Sequence, residues 1–316
     1  QPATSAAQPS FSAEFPQASW SIQSKTFDMS TSFDHAHEHR SPIMIAGDRL
    51  SDLGGGALDG MAVIGDMALF VWRTLRWMVK RMPSGETIWP NFYQVGVLSL
   101  PVVALTGTFI GMVLAVQTYS QFRQLGLETQ LGAIINTSLV RELGPVLAAT
   151  MLAGRVGSAM AAELGTMRVT EQIDALASMG TDPIYYLVVP RFLACMLLIP
   201  TLTVMADYMG VLGGYFYCVN ILQIDKFHYW HNSEQYVGTF DLLSGVCKSV
   251  FFGATIAVVS CYRGFNCAAG AEGVGRAATA SFVLSFVFIL IIDLLLGILL
   301  DALYYTLWPE GAKLFG

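Results

Sequence analysis

Between Thr87 and Phe122 the chain carries no charged side chain. A stretch of that length without charge has no surface to offer to water, and about 20 apolar residues in a helix already reach across a bilayer. In lipid every backbone polar group must be satisfied within the segment, so a helix is the form such a stretch takes. One span is expected over roughly Val95–Tyr119, with others near Val140–Leu164, Leu187–Val219, Leu242–Tyr262 and Thr279–Leu307, five in all. Composition agrees: 54% of the 316 residues are hydrophobic and only 13% are charged, about half the charge usual in a soluble domain. The fold class is an all-α polytopic membrane protein, and a soluble enzyme is excluded. The net charge of −6 forms no basic stripe, which argues against nucleic acid.

Residues 1–58 are rich in Ser, Ala, Gln, Pro and Gly and read as a disordered tail. The run Asp34–Arg40 (DHAHEHR) sets His35, His37 and His39 at alternate positions, a spacing that builds no preformed metal cage. From Asp59 to Met82 the pattern turns amphipathic, with Asp66, Arg73, Arg76 and Lys80 on one stripe and Trp72 and Trp77 suited to headgroup level. This predicts a helix in the membrane interface, or one packed on the flank of the bundle, ended by Pro83 and Gly85. Residues 86–316 then form the transmembrane domain. Lys and Arg concentrate before the first span, between spans two and three and between spans four and five, which predicts a cytoplasmic N-terminus.

The spans are not uniformly apolar. Arg155, Glu163, Asp207, Lys248, Asp293 and Asp301 fall within them, and each such group costs roughly 2.5–3.5 kcal/mol at mid-helix unless it meets a partner or a wet cavity. Arg155 with Asp293 is one candidate pair. The second span repeats Ala149, Ala153, Gly157, Ala161 and Gly165 at four-residue spacing, a row that lets helix backbones approach closely at the centre of a bundle or a dimer seam. Arg141-Glu142-Leu143-Gly144-Pro145 reads as the entry to that helix, with Pro145 tolerated in the first turn. Catalytic chemistry is not evident. All five histidines lie outside the expected spans, the cysteines lack metal-ligand spacing, and no GxxxxGK[ST] is present to cradle a phosphate. If ATP drives this protein, a partner binds it.

The segments Gly107–Gln117 (GTFIGMVLAVQ), Arg141–Pro145 (RELGP), Ala153–Ala159 (AGRVGSA), Ala162–Leu176 (AELGTMRVTEQIDAL), Asp182–Arg191 (DPIYYLVVPR) and Ala271–Ala277 (AEGVGRA) resemble the MlaE/YrbE permease family, in order, from about Val95 to Leu300. One departure is Ala268-Ala269-Gly270, where many members carry a Gly-Gly pair. The resemblance implies a non-catalytic permease subunit of an ABC transporter in the bacterial inner membrane. It implies a homodimer that works with a cytoplasmic ATPase subunit, which holds ATP and Mg, and with an MCE-domain protein on the far side. It implies phospholipid as cargo, held between two protomers by Leu114, Arg141, Glu142 and Leu143. It marks Thr170, Glu171, Gln172, Asp174 and Leu176 as the coupling segment. A stand-alone channel or secondary transporter is the competing reading, and a lipid-modifying enzyme a more distant one.

Overall fold

A computed structural model describes residues 42–80, 85–127 and 130–307. The tail histidines therefore lie outside the described residues, as do Arg81 and Lys313. The chain divides into two units, Gln1–Asp59 and Gly60–Gly316. Among the described residues all regular structure is helical. Helix α1 runs Pro42–Lys80 and so starts inside the segment read as an unstructured tail.

Five helical segments are long and apolar enough to cross a membrane, in agreement with the number expected. The first, Gly85–Leu125, comprises α2 (Gly85–Phe92) and α3 (Leu100–Leu125). The second, Leu131–Val169, joins α4 (Leu131–Ser138), α5 (Gly144–Leu152) and α6 (Ser158–Val169). A short helix α7 (Gln172–Ser178) leads to the third, Ile184–Ile221, built on α8 (Val189–Phe216). Helix α9 (Lys226–Tyr236) precedes the fourth, α10 (Thr239–Phe265), and α11 (Gly270–Leu307) carries the fifth. The second span begins at Leu131, well before the expected Val140, so Arg141–Pro145 lies inside a continuous helix and is not its entry.

Several spans contain a π-helical turn. In Leu139–Leu143 the Gly144 N–H donates to the Leu139 carbonyl, five residues back. The cause is local: Pro145 has no N–H to give the carbonyl four residues before it, that of Arg141, so the helix widens there. A second widened turn, Ala153–Gly157, follows one short helix later.

The core lies between spans two, three and four, where Ala149, Ala153, Phe192, Cys195, Ile199, Phe252 and Ile256 are buried. The small-residue row of the second span is central to this packing. Gly157 lies against Ile256, Ser260 and Ser281, and Gly165 against Cys267 and Val274. Ser281 donates to Ser260 at 2.9 Å, a polar clasp between α10 and α11. The closest backbone contact is elsewhere. A methyl at Gly111 would run into the Gly210 carbonyl oxygen, so α3 and α8 touch main chain to main chain. At the far end Tyr229 and Ser233 of α9 close over Gly132, with Asn136 donating to Ser233 at 2.9 Å.

Helix α1 shows three faces beyond Gly60. Phe70 stacks edge-on against Tyr262 and Phe265, both at 5.8 Å, and Met67, Val71 and Met78 pack on the core. Met61, Ile64, Trp72 and Val79 form an exposed apolar side. Arg73, Arg76 and Lys80 occupy the third, exposed face. The structure meets the expectation of a helix packed on the flank of the bundle, and leaves a second, apolar side of it exposed.

Candidate functional site

The widened turn Leu139–Leu143 aims Arg141 and Glu142 at α10 and α11. Arg141 bonds Asp301 of α11 and lies 3.6 Å from Asp241 of α10. Asp241 is fixed in turn, since its carboxylate accepts the Gly238 N–H at 3.0 Å in the first turn of α10. Two turns deeper, Lys248 donates to Glu142 at 2.5 Å. Asp293 Oδ1 is 3.1 Å from the same ammonium, an ion pair without hydrogen-bond alignment. Lys248 is 1% exposed whereas the side chain of Glu142 is 44% exposed, so the cluster runs from the core out to an open edge. Four carboxylates share two cations here.

This arrangement corrects the expected pairing. Asp293 belongs to Lys248, and Arg155 instead donates to Ser99 of the first span at 2.5 Å. Glu163 receives Arg191 at 2.8 Å across spans two and three. Asp207 is buried against Gly144, and its Oδ1 has no hydrogen-bond partner among the described residues. The four residues assigned to lipid divide. Arg141 and Glu142 sit together in the charged cluster, with Leu143 beside them and exposed. Leu114 packs instead with Leu131, Ile135, Cys218 and Tyr229, a separate group.

At the opposite end of the second span, α6 stops and the chain turns through Glu171, a non-glycine residue in the left-handed region (φ 59°). Thr170 donates to the Thr166 carbonyl at 2.8 Å, and Gln172 donates back to Thr170 at 3.0 Å. Asp174 pairs with Arg168 at 2.6 Å. The short helix α7 that results is anchored from one side only. Ile173 is buried and Leu176 half-buried among Leu164, Leu187, Val188 and Cys261, while Glu171, Gln172 and Asp174 are exposed. Asp182 ends the elbow. Its carboxylate accepts the Ile184 N–H at 2.9 Å and the Trp77 indole N–H of α1 at 2.9 Å.

Sequence reasoning missed Asp241 as a partner of Arg141 and the Trp77–Asp182 bond. A signal existed for the first: an aspartate three residues after Gly238 is a helix-start pattern. None existed for the second, which joins residues 105 apart in sequence.

The described residues hold no group of histidine, cysteine and acidic side chains able to bind a metal ion. What the bundle offers is a charged cluster at one end and an exposed elbow at the other. Comparison with known proteins gives this pattern a family. The family description "Permease MlaE" matches residues 88–299. A probable ABC transporter permease protein of Rickettsia typhi is 42% identical over 237 residues, covering 75% of this chain and 92% of that protein. The protein TRIGALACTOSYLDIACYLGLYCEROL 1 of Arabidopsis thaliana chloroplasts is 38% identical over 238 residues, covering 72% and 68%. The intermembrane phospholipid transport system permease protein MlaE of Haemophilus influenzae is 32% identical over 248 residues, covering 78% and 95%. With its matched segment spanning all five membrane-crossing helices, the chain belongs to the MlaE permease family.

Proposed function

We propose that this chain is the membrane subunit of an ABC transporter that moves phospholipid between membranes, powered by a separate ATPase subunit. In this reading two copies form the pathway in a bacterial inner membrane, with the N-terminus in the cytoplasm and an MCE-domain protein on the other side. The observation that carries the proposal is the anchored elbow. Helix α7 is held by Ile173 and Leu176 in the seam between spans two, three and four, while Glu171, Gln172 and Asp174 stay exposed. A push on such an element reaches the spans themselves. The phospholipid named in the Haemophilus relative fits the other end, where Leu143 is exposed beside Arg141. There Leu143 would meet acyl chains, and Arg141 and Glu142 the headgroup, while Leu114 stands apart from this group; an arginine can take a phosphate through two hydrogen bonds.

The test is reconstitution of the chain with its co-purifying ATPase in vesicles. ATP-dependent lipid transfer is expected. Changing Glu171→Ala together with Asp174→Ala should cut transfer at least tenfold while the chain stays folded. Transfer by the chain alone without nucleotide would make it a channel or secondary transporter, and undiminished transfer by the double variant would remove α7 from coupling.

A further inference from the structure

A groove of about 890 Å³ lies between α1 and the elbow, within the range of roughly 300–1,000 Å³ that holds small ligands. Its lining is lopsided in charge. Arg73, Arg76 and Lys80 come from successive turns of α1 and Arg168 from the end of α6, against a single carboxylate, Asp182. Asp182 is occupied on both oxygens by the Trp77 indole and the Ile184 N–H. Arg168 has a partner in Asp174, but among the described residues Arg73 and Arg76 take part in no ion pair. The floor is apolar, with Phe70, Ile184 and Phe265. Lys80 lies over the Trp77 ring at 5.2 Å.

The position of the groove decides what it takes. Its walls are the ends of spans: α6 stops at Val169, span three starts at Ile184 and α10 stops at Phe265. The groove therefore opens at the level where hydrocarbon gives way to headgroups. Beside it α1 leaves Met61, Ile64, Trp72 and Val79 exposed, an apolar side next to the basic one. Basic pockets at span ends attract anionic headgroups, and guanidinium groups one helical turn apart suit a phosphodiester.

We infer that this groove is a binding site for one anionic phospholipid from the leaflet that meets this end of the bundle. The phosphate lies between Arg73, Arg76 and Arg168, and the acyl chains run down past Phe70 and Phe265. The site is separate from Arg141 and Glu142, which lie at the other end of the second span, and it does not depend on the transport reading.

The full chain in neutral detergent is titrated with short-chain phosphatidylglycerol, short-chain phosphatidylcholine and inorganic phosphate, and bound molecules are counted by native mass spectrometry. One phosphatidylglycerol per chain is expected, weakened roughly thirtyfold by Arg73→Gln with Arg76→Gln. Arg73→Lys with Arg76→Lys keeps the charge but loses the paired guanidinium hydrogen bonds, so it should bind more weakly than wild type and more tightly than the glutamine variant, and phosphatidylcholine should not respond to either change. Both arginines are exposed, so the core is untouched. Should the double variant melt early, Arg76→Gln alone, expected about fivefold weaker, decides. Equal phosphatidylglycerol binding by wild type and the glutamine variant overturns the proposal. So does displacement of the lipid by equimolar inorganic phosphate, which would make the ligand a free anion. Retained lipid with loss of a co-purifying ATPase subunit overturns it too, in favour of an acidic protein surface.

Discussion

Lys248 concentrates the electrostatic problem of the bundle in one side chain. It is almost fully buried, yet it faces two carboxylates, Glu142 and Asp293. A buried ion pair adds little net stability, but removing one partner strands the other. Lys248→Met should therefore lower stability by about 3 kcal/mol, read as a drop in melting temperature in detergent. Adding Glu142→Gln and Asp293→Asn should recover part of the loss, because the stranded charges go with them. That charged residues within the spans must find partners was legible in the sequence. Which partner each found was not. Asp293 sits 45 residues after Lys248, and only the packing of α10 on α11 selects it over Arg155. Gly144 shows a similar limit. Its reason for lacking a side chain is the carboxylate of Asp207 on another span.

At the scale of elements, the absence of charge and the periodic small residues located the spans and the central role of the second one. The widened turns were not anticipated. A proline inside RELGP reads equally as a helix start, and only the turns preceding it reveal the continuous helix. The contact between α3 and α8 was missed as well, although Gly107, Gly111 and Ala115 repeat at the same four-residue spacing as the row of the second span. The elbow was found through its motif, but its attachment is a matter of packing. Ile173 is 4% exposed and is the main anchor of α7. Ile173→Ala should cost about 3 kcal/mol and loosen α7 selectively. Amide exchange should accelerate from Gln172 to Ser178 and leave α10 unchanged; uniform acceleration would mean that α7 has no independent mobility.

For the described residues, the five spans place α7 and the 266–269 turn at one end, with Gly126, Leu127 and α9 at the other. The proposed orientation follows from the basic residues at the α7 end and is open to direct measurement. With the native cysteines replaced, a membrane-impermeant maleimide applied outside intact cells should label Gln223→Cys and spare Ser178→Cys and Ala269→Cys. The reverse pattern would invert the protein and remove the elbow from reach of a cytoplasmic ATPase. The Trp77–Asp182 bond has a wider meaning in this setting. It straps a helix with one greasy side to the very joint on which a nucleotide-driven stroke would act. Under the proposed coupling each stroke would drag a rod through the surface of the bilayer, and the viscosity of the surrounding membrane would enter the turnover rate as friction on the machine itself.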